Sequence, residues 1–261
     1  MHHFFVKQED IAGQQIKLSG ENYRHAAQVL RVRPGEEILI SDEQGVDYLC
    51  EVDALFPEAE EPAVSLAIRE VQAHNHELPA RVWLFQGLPK ADKMEWIVQK
   101  ATELGVTDIV PVEMKNCVVK LEGKKAEGKQ SRWQAIAESA AKQSKRSLVP
   151  TVHPVMRFTD ALRLSERFAV RLLPYERANG IQSLCEAIVN FLPERDIAVF
   201  IGPEGGFDPM EVQLAEHRGV QTVSLGRRIL RTETAAIAIL SMIMIRLEIA
   251  EELGFLEEID S

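Results

Sequence analysis

The chain has 261 residues, 46% of them hydrophobic, and a formal net charge of −10. That content supports one large domain or two smaller ones with real cores. Three scattered cysteines, Cys50, Cys117 and Cys185, offer no metal spacing and no disulfide framework, and no apolar signal run follows Met1-His-His, so a cytoplasmic protein without a bound metal is expected.

Residues 1 to about 72 read as mostly β. Glu37–Ile40, Val46–Val52 and Ala63–Val71 are predicted strands with partial alternation. Gly20–Leu30 is a predicted helix with Ser19 as its cap, and Pro57–Pro62 an acidic turn. Several short strands in so few residues predict a small barrel. His74–Pro79 is the expected linker, which gives domains at 1–72 and 73–261.

Beyond the linker, strands and helices alternate. Val82–Phe85 is a strand. Asp92 caps the next helix with Glu95 as its box partner, and Gly105 ends it. A strand at Asp108–Val112, a charged loop at Gly123–Gly128 and a helix at Gln130–Gln143 follow. Thr151–Val155 and Phe168–Leu173 are strands around a helix at Thr159–Leu164. The alternation predicts an α/β domain with a parallel sheet. Tryptophans Trp83, Trp96 and Trp133 sit at core-like spacings and read as packing.

The carboxyl-terminal third carries the chemistry. Ile197–Ile201 is a short apolar run, as in a strand covered on both faces. Gly202-Pro-Glu-Gly-Gly206 follows, its glycines allowing positive φ and close backbone approach. Asp208, Pro209 and Glu211 then form a helix start with a capping box, and Gly219 suits the helix end. A strand at Val220–Leu225 leads into Gly226-Arg-Arg-Ile-Leu-Arg-Thr-Glu-Thr234. The two runs read as loops at the carboxyl ends of neighbouring strands, where an α/β sheet binds its ligand. They match neither G-x-G-x-x-G nor G-x-x-x-x-G-K-[ST], which disfavours a dinucleotide or a nucleoside triphosphate. Arg227, Arg228, Arg231 and the helix start at Thr232 suit an anionic group. A packing turn remains an open reading of the glycine run by itself.

The final helix, Thr234–Leu253, is apolar on every face from Ala235 to Ile245. This run is too short to cross a bilayer. It predicts burial nearly all round, with a second subunit covering one side. Charge is uneven: net −8 over residues 1–75 and +4 over 76–150. Lys115, Lys120, Lys124, Lys125, Lys129, Arg132, Lys142, Lys145 and Arg146 form a basic cluster that reads as a phosphate patch or a solvated face.

Ile201–Phe207 and Leu225–Ala235 resemble the signature motifs of the RsmE family of ribosomal RNA methyltransferases, within the SPOUT superfamily. Lys93–Val106, Arg132-Trp133, Ala137–Pro150 and Leu172–Glu176 are similar to further stretches of it, although Tyr175 stands where histidine is more usual. His25 and Val29–Arg31 resemble its amino-terminal domain. The resemblance covers nearly the whole chain. It implies a PUA-like RNA-binding barrel before a SPOUT domain with a carboxyl-terminal trefoil knot. It implies S-adenosylmethionine as methyl donor and uridine N3 of small-subunit (16S) ribosomal RNA, or of the assembled subunit, as acceptor. It also implies a homodimer. Leu225, Gly226, Ile229 and Leu230 would form an adenine slot. Ile201, Gly202, Pro203, Glu204, Gly205 and Gly206 would approach the rest of the donor, with Arg231 and Thr232 beside it and Leu173 closing the pocket. Arg231 is the candidate cation for a developing uridine anion, and Glu204 and Glu233 are candidate bases or orienting groups. Arg24, His25, Arg31, Arg33, Lys124, Lys125, Lys129 and Arg132 are candidate RNA contacts. Two other readings stay open: a transfer-RNA ribose 2′-O-methyltransferase of the same superfamily, and a non-catalytic RNA-binding or assembly factor.

Overall fold

The computed structural model describes residues 1–72, 76–178 and 180–259, for the last six of which only the backbone is described. Part of the expected linker, including His74, lies outside them. The chain divides into two compact units. One comprises Met1–Glu77 and Ala141–Leu148, the other Leu78–Ala140 and Val149–Ser261.

The first unit holds β1 (His2–Phe5), β2 (Ile11–Ala12), β3 (Gln15–Leu18), β4 (Glu37–Ser41), β5 (Asp47–Phe56) and β6 (Ala63–Gln72). They form one sheet in the order β1-β4-β5-β6-β3-β2, antiparallel except for the parallel β1–β4 pair. Its core draws Phe4, Ile16, Leu18, Ile38, Ile40, Cys50, Val52, Val64 and Leu66 from five strands. The segment predicted as one helix splits into α1 (Gly20–Tyr23) and π-type turns over Arg24–Leu30, closed by Arg31 at φ 56°. The Ser19 hydroxyl makes no capping bond. A polar cluster is buried here. Ser41 donates to Asp47 and meets His3 Nε2 at 2.7 Å, while the Ser147 hydroxyl donates to Asp47 at 2.7 Å. Burial holds the His3 imidazole below its ordinary pKa, against the pull of Asp47. Arg146 is also buried, paired with Glu77, so it leaves the basic surface cluster.

The second unit holds β7 (Val82–Gly87), β8 (Asp108–Glu113), β9 (Thr151–Val152), β10 (Met156–Arg157), β11 (Val170–Pro174), β12 (Ile197–Ile201) and β13 (Gln221–Val223). All pair in parallel in the order β10-β8-β7-β12-β11-β13, with β9 also on β8. The helices are α2 (Lys93–Glu103), α3 (Gly123–Ser144, whose residues from Ala141 on belong to the first unit), α4 (Phe158–Ser165), α5 (Gln182–Ile188), α6 (Pro209–His217) and α7 (Thr232–Ile259). Every residue of β7 and β12 is buried, which explains the apolar runs Val82–Phe85 and Ile197–Ile201. Alternate residues serve opposite faces. Val82, Leu84, Ile197 and Val199 join the core that includes α2 and α7, and Trp83, Phe85, Ala198 and Phe200 join the core of α4 and α6.

Several expectations need correction. The two glycine loops do not follow neighbouring strands, because β11 lies between β12 and β13. The supposed charged loop at 123–128 is the first part of α3. Lysine, alanine and glutamate are good helix formers there, and Ala126 packs against the core, which offsets Gly128. Asp92 makes no side-chain cap, since its ψ of 10° is not extended. Glu95 turns instead to Arg132 at 2.7 Å and Lys129 at 3.6 Å. Trp96 is 44% exposed rather than core. Within this chain α7 is not covered all round. Ala236, Ile239, Leu240, Ile243 and Leu247 are buried, whereas Ile245, Ile249 and Leu253 are about half exposed. No helix of the described residues is long and apolar enough to cross a membrane.

Candidate active site

A cavity of about 440 Å³ opens at the carboxyl ends of β11 and β12. One wall is the loop Ile201–Phe207, and the other is Ile229–Thr232 with Ala235 of α7. Pro174, Glu176 and Lys93 complete it. A second recess of about 90 Å³ is lined by Ser224, Leu225, Gly226, Arg228, Ile229 and Leu230, and shares Pro174, Glu176 and Ala235 with its neighbour. Most sequence-chosen donor residues thus converge. Leu173 does not: it is wholly buried in the core, because alternation turns it under the sheet and leaves Pro174 at the rim.

The first loop is fixed by its surroundings. Only Gly206 of its glycines has positive φ, at 66°, so the expectation for Gly202 and Gly205 fails. Those two serve close approach instead. A Cβ on Gly205 would lie 3.0 Å from Asn116 Cβ, and one on Gly202 would lie 3.2 Å from the Phe207 ring. Asn116 Nδ2 donates to the carbonyls of Gly205 and Gly206, both at 3.2 Å. Asp208 caps α6 in a capping box with Glu211, as its sequence predicts. Lys115 ties into the same turn, through its N–H to Glu211 at 2.8 Å and its ammonium to Asp208 at 2.7 Å. Lys115 and the Met210 N–H hold the Asp208 carboxyl below its usual range. Beneath the loop, Gly87 leaves no room for a side chain: an added Cβ would meet Pro203 N at 2.7 Å.

The start of α7 is joined to this loop. The buried Thr232 hydroxyl donates to Gly202 O at 2.6 Å and accepts from Gln86 Nε2 at 2.9 Å. Glu204 accepts from the Lys90 N–H at 3.0 Å and pairs with Lys93 at 3.0 Å. Burial would raise the Glu204 carboxyl, but its own and the Lys90 N–H groups, with Lys93, outweigh that and hold it low. Lys93 also lies 3.4 Å from Glu233. Its ammonium is pushed up, chiefly by the bond to Glu204. A carboxylate held ionised in a pair is a weak proton acceptor, so this geometry suits Glu204 to orienting. Arg227, Arg228 and Arg231 are exposed, as is Ile229 at 87%.

Lys93, Gln86, Asn116 and Glu176 escape the sequence reading. Lys93 stands in a quoted motif, but only the fold brings it to the cavity. Among the RNA candidates, Arg24, His25, Arg31 and Arg33 are exposed, with the His25 ring edge-on to Phe4 at 5.5 Å. Lys124 and Lys125 are exposed at the start of α3, whereas Lys129 and Arg132 are engaged by Glu95. Among the described residues no group of three or more histidine, cysteine or acidic side chains is placed to hold a metal.

The RNA methyltransferase domain family matches residues 76–244, and the RNA methyltransferase PUA domain family matches residues 18–55. The ribosomal RNA small subunit methyltransferase E of Bacillus subtilis is 38% identical over 95% of this chain and 98% of its own. The crystal structure of the Neisseria gonorrhoeae protein of the same name, bound to S-adenosyl methionine, superposes with a TM-score of 0.78 at 32% identity, covering 94% of this chain and 97% of that one. A Legionella pneumophila methyltransferase structure with bound S-adenosyl methionine has the same TM-score at 29% identity, over 93% and 96% of the two chains.

Proposed function

Since this chain belongs to the ribosomal RNA small subunit methyltransferase E family, we propose that it transfers a methyl group from S-adenosylmethionine to N3 of a uridine in 16S ribosomal RNA. The observation that carries the reading is the joined pair of loops around one cavity. Its volume falls within the range of small-molecule sites. Its walls offer main-chain groups of Ile201–Gly206 and Leu225–Thr232, with no Cβ at Gly206 or Gly226 to obstruct a ligand. These residues fit the donor, and the smaller recess at Leu225, Gly226, Ile229 and Leu230 fits its adenine. The knot implied by the family would be formed by α7 and the loop before it.

The donor supplies an activated methyl on a sulfonium, and the chain supplies position and charge. Uridine N3 bears a proton that must leave before it becomes a good nucleophile. Arg231, exposed at the mouth, stabilises the developing anion. Glu204 and Glu233 orient the loops around it. Residues 1–72 form the RNA-binding domain, with Arg24, His25, Arg31 and Arg33 facing RNA. Residues 73–261 form the methyltransferase domain, and Lys124 and Lys125 add phosphate contacts beside the already paired Lys129 and Arg132. The half-exposed side of α7 is covered by a second copy, giving a homodimer in the cytoplasm. Sedimentation equilibrium reads this directly, and a monomer mass at micromolar concentration refutes it.

Calorimetric titration with S-adenosylmethionine, followed by mass-spectrometric mapping of treated small-subunit RNA, tests the whole reading. Donor binding and a methylated uracil base are expected. A methylated ribose would favour the 2′-O reading, and RNA binding without donor binding the assembly-factor reading.

A further inference from the structure

Lys93 is the first residue of α2 and reaches into the cavity between two walls that belong to different segments. Its ammonium lies 3.0 Å from Glu204 in the loop after β12 and 3.4 Å from Glu233 in the first turn of α7. Both carboxylates are mostly shielded, at 26% and 18% side-chain exposure, so water replaces Lys93 poorly. Glu204 has a second donor in the Lys90 N–H. Glu233 is less provided for, because its Oε2 is buried without a hydrogen bond and depends on the charge of Lys93.

We propose that Lys93 is a positioning residue for the donor: one cation clamps the two carboxylates, fixes the spacing of the two pocket walls and leaves the cluster singly negative. The inference rests on the donor reading above. One positive and two negative charges give the cluster a net charge of −1. That sign attracts a sulfonium donor, an attraction lost in the uncharged thioether left after transfer. The wall therefore binds donor more tightly than product. Besides Lys93 and Glu204, the charged groups that line the cavity are Arg231 and Glu176, which offset one another. Glu204 thus faces Lys93 from α2, Glu233 from α7 and the Lys90 N–H before α2.

Removal of Lys93 would leave two shielded carboxylates side by side. The Glu204 carboxyl, now held low in part by Lys93, would then rise, because a like charge in one site raises a carboxyl pKa. In Lys93→Met, donor affinity should fall about tenfold at neutral pH and become pH-dependent, where the wild type stays flat. The melting temperature of the donor-free variant should recover relative to wild type as pH falls, since a raised folded-state pKa contributes stability that is full below the unfolded value and is lost as pH rises through the folded one. Lys93→Arg should restore the flat profile. Lys93→Met/Glu204→Gln should flatten it too, by removing one repelling charge, without restoring full affinity. Calorimetry with donor and with thioether product should show both weakened in Lys93→Met while their affinity ratio is kept or grows, because the cluster stays negative. Wild-type protein that binds no donor would overturn the donor reading and the inference together. Wild-type binding with a flat, undiminished profile in Lys93→Met would overturn the inference alone.

Discussion

The two loops around the cavity are held in different ways. The Gly202–Phe207 loop is pinned on several sides: by Asn116, by Lys90 and Lys93, by the Thr232 hydroxyl and by the capping box that follows. The Leu225–Arg231 loop is held near its ends, by the Ser224 hydroxyl contacts and by the first turn of α7. Between them it presents Arg227, Arg228 and a largely exposed Ile229. The first loop is shaped before any ligand arrives. The second keeps its polar side chains free for one. Preorganised groups hold a ligand in one geometry without reorganising, and exposed cations can meet a large anionic partner.

Substitutions should separate the two. Gly87→Val should have the largest effect, because its new atoms meet the backbone of Pro203 rather than a flexible side chain. A loss of about 3 kcal/mol in chemical denaturation is expected, with donor binding abolished. Normal stability in that variant would show the first loop to be far softer than its contacts suggest. Gly205→Val should leave the protein folded but remove donor binding, and Asn116→Gly in the same chain should recover part of it by vacating the contact. No recovery would mean that the loop fails for another reason. Thr232→Val removes the hydroxyl donor to the Gly202 carbonyl and leaves the Gln86 amide only its bond to the Gly87 carbonyl, and should cost about 1–3 kcal/mol in the same denaturation experiment. In the second loop Arg231→Ala should change stability by less than about 0.5 kcal/mol, as for an exposed side chain. Its effect should appear in kcat with donor affinity kept, and single-turnover kinetics would show it. The smallest effect concerns the helix start. Lys124→Ala/Lys125→Ala should lower the salt slope of RNA binding by up to about 2, whereas Lys129→Ala should barely move it because Glu95 already neutralises that charge.

The legible parts of the sequence were those governed by local rules. Ile197–Ile201 declared a covered strand by its unbroken apolar run, and Asp208-Pro-Met-Glu211 declared a helix start by capping chemistry. Parallel sheet and both glycine loops followed from such signals. Three kinds of feature did not. Asp92-Lys-Met-Glu95 has the same capping spacing as Asp208–Glu211, yet Glu95 is captured by Arg132 of another helix. Strand order is non-local, so the insertion of β11 between the two loop-bearing strands left no local trace. Lys93 and Gln86 reach the site only through tertiary placement: Lys93 is one of several charged residues at its helix start, and Gln86 is a polar side chain at the end of an otherwise apolar strand.

The bond between Gln86 and Thr232 joins residues 146 apart in sequence, and Lys90 and Glu204 are 114 apart. Such distant partners must wait for nearly the whole chain. A growing polypeptide can settle its first sheet early, but the cavity has no second wall until the segment beginning at Leu225 has emerged and docked. Donor capture is therefore a property that arrives last in folding, and a product truncated ahead of Thr232 would lack it whatever the quality of the fold already made.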